Sequence, residues 1–515
     1  MDIITIFFLI ISPLITFLFI VLTSKPNSQQ HLNLPPGPPK LPLIGNLLQL
    51  AGSLPHRAFR NLAKNHGPIM HIQLAQISAI IISSPRLAKE VLKTHDLALA
   101  SRPTSLASHI LFYGNTNIAF TPYGDYWRQL RKICSLQLLS AKKVRSFAAI
   151  RQREFNSFVK SLGLLSDGEP IDVHEKVTEM VNNVICVSSF GDNCRQRRRL
   201  LEIVDRFGRE LSGFYLADLF PDCEFLSVIL GRKSNLLKVR ESFDEILDEI
   251  LEERRRRGSY SEFPSDEHED GDLLEVLLRV KEDGGVGFAI TNDNIKAIFA
   301  DIFAAGTDTS SITIEWAMTE MIRNPSVMKK VQTEVREAFK WKTMITEKDL
   351  QSLSYMQLVI KETLRLHPPV PLLLPRECRE QCKIDGYDIH VKQKVMINAW
   401  ACATDPEYWE DAESFKPERF EKTSVDFMGN DYEFIPFGAG RRMCPGVNFG
   451  LRSVEFFLAH MLYFYDWNLP DGLNPTDVDM TETEGVFAGR KDHLRLIPTF
   501  YPKVVDDAPF INLNM

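Results

Sequence analysis

Near the C-terminal end of this 515-residue chain stands Phe437-Gly438-Ala439-Gly440-Arg441-Arg442-Met443-Cys444-Pro445-Gly446. One cysteine lies among three glycines, is faced by arginines and is followed by a helix-compatible run. Glycine lets a backbone come close and aim N–H groups at a sulfur, and a helix N-terminus favours negative charge. Together these features predict a thiolate that holds a large anionic metal cofactor. Two plainer readings of Cys444 exist, a buried structural thiol and a zinc ligand. A zinc site needs several Cys or His at short spacing, whereas the nearest other cysteine is Cys402. A core thiol leaves the surrounding Gly and Arg unexplained. The second candidate is Ala305-Gly306-Thr307-Asp308-Thr309-Ser310, which breaks an apolar stripe (Ile295, Ile298, Phe299, Ile302, Phe303) at Gly306 and Thr309. Packing alone would ask for large side chains there. Glycine costs helix stability, and a threonine bonding back one turn bends a helix, so the break predicts a groove holding a hydroxyl and a carboxylate. The plainer reading is a patch of small residues where another helix crosses closely.

Helices must position both candidates. Thr291 is a plausible N-cap, and Asn324-Pro325 stops the run after Arg323, so the spacing predicts one helix crossing the whole domain. Glu362 and Arg365 stand three apart and share a helical face in apolar surroundings, with a second arginine in Pro417-Glu418-Arg419-Phe420 downstream. The generic reading of such a pair is a solvated surface contact worth little.

Taken together, the motifs resemble those of the cytochrome P450 monooxygenases. Phe437, Gly440, Arg442, Cys444 and Gly446 match that family's haem-ligand motif, and residues 305–310 match its Ala/Gly-Gly-x-Asp/Glu-Thr-Thr/Ser motif. Runs such as Tyr123-Gly124-Asp125-Tyr126-Trp127-Arg128 and Lys361-Glu362-Thr363-Leu364-Arg365-Leu366-His367-Pro368 are similar to the plant microsomal A-type group, which oxidises terpenoids, alkaloids and phenolics. The resemblance implies a mostly α fold with minor β, a single haem-thiolate domain, with Cys444 as axial ligand of haem b; a proximal thiolate pushes electron density onto iron and favours O–O cleavage. It implies that Thr309 and Asp308 manage protons while water is kept out. Trp127, Arg131, Arg376 and Arg442 are implied as partners of the haem propionates, which need cations in an apolar pocket. Phe437 and Gly446 complete the cofactor contacts. Glu362, Arg365 and Arg419 are assigned to a buried charge network for folding and haem retention.

The same resemblance maps substrate contacts to Ile110, Phe120, Ala305, Val370, Leu374, Val486 and Phe487, all apolar, which suits a hydrophobic substrate. Core packing is the plain alternative for each. A terpenoid is favoured because these side chains offer no evident charged group for an amine or carboxylate; indole alkaloids and flavonoids are the alternatives. Hydroxylation, epoxidation and successive oxidation share the machinery. A haem-thiolate isomerase or dehydratase usually lacks the groove threonine, and an idle binding protein has no need of Asp308-Thr309. Electrons are expected from NADPH through NADPH–cytochrome P450 reductase, an acidic partner steered by the basic residues Arg128, Arg131, Lys132, Lys142, Lys143 and Arg145, for which an ordinary solvated surface is the alternative.

Ile3 to Thr23 is an uncharged apolar stretch long enough to cross a bilayer, with no basic region ahead of it and no small-residue cleavage site after it. Residues 1–23 are therefore expected to form a transmembrane anchor, 24–40 a Pro-rich hinge containing Leu34-Pro35-Pro36-Gly37-Pro38-Pro39-Lys40, and 41–515 the catalytic domain. Lys25 and Lys40 after the span place that domain in the cytosol, and the resemblance places the protein on the endoplasmic reticulum. A composition of 44% hydrophobic residues with 33 Phe supplies a large core. The net charge of −7 argues against nucleic acid as a partner, and eight scattered cysteines suit a reducing compartment. Residues 254–272 read as a charge-rich connection between helices.

Overall fold

The computed structural model describes residues 33–166, 168–192, 194–212, 215–256, 271–284, 288–340, 342 and 345–501. The apolar stretch at residues 1–23, expected to be a membrane anchor, lies outside them. Among the described residues no helix is long and apolar enough to cross a membrane.

Helices dominate: α1 (Pro55–His66), α2 (Asp125–Ile133), α3 (Ala148–Leu162), α4 (Val173–Phe190), α5 (Arg197–Ser212), α6 (Arg232–Arg256), α7 (Leu273–Glu282), α8 (Asn292–Arg323), α9 (Pro325–Ala338), α10 (Ser354–Leu366) and α11 (Val447–Phe464). The axis of the molecule is α8, whose 32 residues span about 48 Å at 1.5 Å each. Its start is fixed by a reciprocal cap: Thr291 Oγ1 accepts from Asn294 N–H at 3.2 Å, and Asn294 Oδ1 accepts from Thr291 N–H at 2.9 Å. It ends at Asn324 because Pro325 opens α9. The expected stripe is only part of the burial. Phe299, Phe303, Ile314, Trp316, Met318 and Met321 are all buried, as befits a helix enclosed on every side. Helix α4 runs antiparallel along it, so that Ile185 lies at Gly306 and His174 at Glu315, and α11 packs on it from the cysteine side.

The strands are β1 (Ile69–Leu74), β2 (Ile77–Ile82), β3 (Ile171–Asp172), β4 (Arg376–Glu377), β5 (Cys382–Ile384), β6 (Tyr387–Ile389), β7 (Lys394–Ile397), β8 (Tyr465–Asn468) and β9 (Arg495–Phe500). One sheet has the order β1-β2-β7-β4, with β2 and β7 parallel (Ile80 beside Val395) and β4 antiparallel to β7 (Arg376 beside Val395). This register brings Arg376 next to the cysteine turn. A second sheet, β3-β9-β8, ties the start of α4 to the C-terminal strand through the Ile171–Leu496 pair. The described part of the proline-rich segment, residues 33–40, is non-helical and lies against the first sheet: Pro36 C=O accepts from His71 N–H at 2.8 Å, and Asn46 Nδ2 donates to Pro38 C=O at 3.2 Å. Gly37 has no room for a side chain, because an added Cβ would strike His71 C=O.

Glu362 and Arg365 meet on α10 with both side chains fully buried. Arg365 Nε donates to Glu362 Oε2 at 2.7 Å and Nη2 to Oε1 at 2.9 Å; its remaining N–H groups reach the carbonyls of Ala403, Ala412 and Ser414. Arg419 Nε and Lys416 N–H donate to Glu362 Oε1 at 2.9 and 2.8 Å. A buried pair is stable only when such extra bonds satisfy both ions, and here they do. The surface reading of the i, i+3 spacing is set aside.

Candidate functional site

The cysteine turn is shaped by positive φ at Gly438 (69°) and Gly440 (68°). At Gly440 a Cβ would collide with Leu92 C=O and with the Asp96 carboxylate, so the chain passes there only as glycine. Cys444 N–H donates to Phe437 C=O at 3.0 Å, closing the turn, and α11 begins at Val447 with Gly446 as its N-cap. Burial pushes the Cys444 thiol up; a hydrogen bond from Gly446 N–H and the charge of Arg131 pull it down. A coordinated metal ion deprotonates a thiol outright. Among the described residues no group of three or more His, Cys, Asp or Glu is placed to hold a metal ion.

Behind the turn four arginines gather: Arg102, Arg131, Arg376 and Arg442. Arg442 donates Nε to Ala100 C=O (2.7 Å) and Nη2 to Thr121 C=O (2.6 Å), and lies 4.1 Å over the Trp127 ring. Burial, with the charges of Arg376 and Arg131, lowers it to about 9. Arg102 donates to Ala119, Leu374 and Pro375 carbonyls, and burial with Arg376 and Arg442 holds it well below the usual arginine range. Arg376 pairs with Asp96 at 2.8 Å and donates to Ala439 C=O; Arg131 Nη1 donates to Met443 C=O at 2.6 Å. Asp96 is the carboxylate seen against this group; Arg441 N–H donates to it as well. Crowded guanidiniums, all disfavoured by burial and Arg102 and Arg442 also by neighbouring arginines, form a cradle for a dianion, and two propionates meet that requirement. The residues present fit haem. Trp127 Nε1 is engaged elsewhere, donating to Ile118 C=O at 3.0 Å, so this side chain acts as the platform under Arg442.

On α8, Ala305 is exposed in mid-helix while its neighbours Phe303, Ala304 and Thr307 are buried. Thr309 Oγ1 donates to Ala305 C=O at 2.6 Å, the expected back-bond. Gly306 answers the plainer reading: an added Cβ would sit 2.9 Å from Ile185 Cδ1, so this glycine exists for the close crossing of α4. Asp308 turns toward α5, its Oδ2 3.0 Å from where a Cβ on Gly208 would stand, with the Phe487 ring beside it. Successive helical residues diverge by about 100°, so hydroxyl and carboxylate serve different sides of the helix. Burial lifts Asp308 to about 7, opposed by His174 and reinforced by Asp205.

Two functional residues escaped the sequence reading. Arg102 is one. Asp301 is the other: it accepts from Asn117 Nδ2 (2.6 Å), Ile118 N–H (2.6 Å) and Ala119 N–H (3.1 Å), and burial lifts it to about 7. The loop 117–121 is thus gripped by its amides on α8 and by its carbonyls on Trp127, Arg102 and Arg442. The signal was a carboxylate inside Ile298-Phe299-Ala300-Asp301-Ile302-Phe303.

Among the expected substrate contacts, Ile110 is buried in the main core; Phe120 packs near Phe112 with ring centroids 5.2 Å apart. Val370, Leu374, Val486 and Phe487 are half-buried, and Ala488 N–H donating to Pro369 C=O at 2.9 Å joins their two segments. The basic group divides. Arg128, Lys132, Lys142 and Arg145 are exposed, whereas Lys143 is buried and turned to Gly271 C=O, and Arg131 reaches inward to Met443. Those two are therefore not part of the exposed basic face, because each is turned to a backbone carbonyl.

Comparison with known proteins agrees with this arrangement. The model of the family described as Cytochrome P450 matches residues 35–494. The chain is 51% identical over 498 residues to costunolide synthase of Cichorium intybus, covering 97% of this chain and 98% of that one. It is 49% identical to germacrene A acid 8-beta-hydroxylase of Helianthus annuus, covering 97% and 99%. In fold it is similar to a zebrafish cytochrome P450 solved with progesterone, at TM-score 0.72 and 23% identity, over 86% of this chain and 99% of that one. The chain belongs to the cytochrome P450 family of haem-thiolate monooxygenases.

Proposed function

We propose that this protein inserts one oxygen atom from O2 into an apolar terpenoid by hydroxylation, epoxidation or successive oxidation, with electrons from NADPH through NADPH–cytochrome P450 reductase. The observation that carries the substrate class is the full-length similarity, near 50% identity, to relatives named for terpenoid products and substrates. Bound haem supplies the oxidising chemistry, dividing dioxygen between product and water. Cys444 would hold the iron, and Arg102, Arg131, Arg376 and Arg442 would neutralise the propionates. Thr309 offers its hydroxyl at the exposed residue Ala305, whose carbonyl it meets, and hands protons inward. Asp308, near 7, can both take and give a proton at neutral pH. Phe120, Ala305, Val370, Leu374, Val486 and Phe487 orient the substrate and exclude water. Indole alkaloids and flavonoids form the second reading, since the lining side chains select for apolarity alone. Thr309 supports oxygen chemistry over isomerisation or dehydration. The apolar stretch at residues 3–23 supports anchoring in the endoplasmic reticulum membrane with the catalytic domain in the cytosol.

Microsomes holding this chain and reductase, fed terpenes, indole alkaloids and flavonoids, test the substrate class. Turnover confined to terpenes is the expected result; turnover confined to another class overturns it. Thr309→Ala should keep NADPH consumption but lower product per NADPH by about tenfold, the rest appearing as peroxide. Unchanged coupling would remove the threonine from proton delivery.

A further inference from the structure

The first turn of α4 brings against α8 a titratable cluster that the chemistry above leaves unused. His174 Nδ1 lies 2.9 Å from Glu315 Oε2, and the other Glu315 oxygen accepts Leu494 N–H at 2.9 Å with Arg490 Nε 3.8 Å away. The His174 ring rests on the His493 ring, centroids 4.4 Å apart, and His493 Nδ1 lies 2.9 Å from Asp172 Oδ2. Side-chain exposure rises along this series, from 0% at Glu315 through 21% at His174 to 44% at His493. The cluster therefore leads from solvent to a buried carboxylate.

Its inner end reaches the stretch of α8 that carries Asp308. Glu315 and Asp308 are seven residues apart, two turns along one face. On α4 the residues 174, 178, 181 and 185 follow helical spacing on the face that meets α8 between Glu315 and Gly306. Thr178 is one turn from His174 in the direction of Asp308, and its Oγ1 is buried with no hydrogen-bond partner among the described residues. A buried hydroxyl without a partner is costly unless water or a transferred proton uses it.

We propose that His174 is the inlet through which solvent protons reach Asp308, with His493 outside it and the Thr178 hydroxyl, joined by water, between them. The inference rests on the proton-handling role given to Asp308 above. One proton from solvent hydronium goes onto the His174 imidazole, leaving water, and one leaves the imidazolium for the Asp308 carboxylate; the imidazole ends neutral and the carboxyl protonated. The charged and titratable groups facing this path are His174 on α4, Asp205 on α5, Glu315 on α8, Arg490 and His493 on the C-terminal segment, and Asp172 ahead of α4. Burial raises Asp308, and the field of His174 lowers it, the influence expected of an imidazole within range.

His174→Gln keeps a donor for Glu315 but cannot carry a proton. In the full-length enzyme with reductase it should lower product per NADPH by about threefold or more and raise the solvent isotope effect. Infrared difference spectra give a readout apart from turnover. The carboxyl band of Asp308, assigned by its loss in Asp308→Asn, should titrate at higher pH in His174→Gln because the lowering influence of the imidazole is gone. If His174→Gln does not accumulate as folded protein, Thr178→Val is measured for coupling and isotope effect in its place. Unchanged coupling, isotope effect and band midpoint in folded His174→Gln, or unchanged coupling and isotope effect in Thr178→Val, overturn the inlet. Asp308→Asn that uncouples while His174→Gln does not would leave the role of Asp308 standing and overturn only the route. Full coupling in Asp308→Asn would instead overturn the role itself.

Discussion

Arg365→Leu is expected to leave little folded, haem-loaded protein. The substitution strands the Glu362 carboxylate in a fully buried position with Arg419 and Lys416 N–H as its remaining donors. It also removes the donors to Ala403, Ala412 and Ser414 carbonyls, which hold the segment leading to Arg419. Breaking one partner of a buried pair costs about 3–5 kcal/mol, against a total stability on the order of 5–15 kcal/mol. Yield, thermal midpoint and haem stoichiometry measure the loss together. Glu362→Gln should be milder, since the amide oxygen still accepts from Arg365 and Arg419. An Arg365→Leu protein with wild-type thermal midpoint and full haem content would show that the network is ornamental.

The second large effect is expected at Asp301. Asp301→Ala leaves three donors (Asn117 Nδ2, Ile118 N–H and Ala119 N–H) facing a cavity. Each orphaned buried donor costs about 1–3 kcal/mol, and because their carbonyls anchor Trp127, Arg102 and Arg442, haem retention should fall with stability. Asp301→Asn separates charge from hydrogen bonding. Burial lifts the folded carboxyl to about 7, above the unfolded value of about 3.9. A raised folded pKa contributes stability that is complete below about pH 4 and is lost as pH rises through 7. The wild-type advantage over Asp301→Asn should therefore be greatest in acid and shrink toward pH 8. Thermal scans of both proteins across that range test it; an advantage that grows with pH would mean that the carboxylate is stabilised, not penalised, by its site.

The parts of this fold that were legible in the sequence are those whose cause is local. The Thr291 cap and the Asn324-Pro325 stop bound α8 at the observed ends, and the Gly438–Gly440 turn carries its own backbone requirement. The i, i+3 pair at Glu362 and Arg365 likewise forms within a single helix. What the sequence hid depends on backbone groups distant along the chain. Arg102 and Asp301 act on carbonyls and amides of loop 117–121, and an amide carries no residue-type signature. Gly306 breaks the apolar stripe as either a groove or a close helix crossing would; its missing side chain makes room for Ile185, a contact set by how α4 crosses α8. Lys143 belongs by composition to a basic face but is buried, because its four-carbon stem reaches the Gly271 carbonyl. Trp127 keeps its expected place beside the arginines while spending its N–H on Ile118.

All of this rests on sulfur ligation at position 444. The most direct measurement is the absorption spectrum of the purified, reduced protein under carbon monoxide. A strongly red-shifted Soret band, present in the wild type and lost in Cys444→Ser, is the predicted result. Colourless protein, an unshifted band, or a red-shifted band that survives in Cys444→Ser would contradict the account.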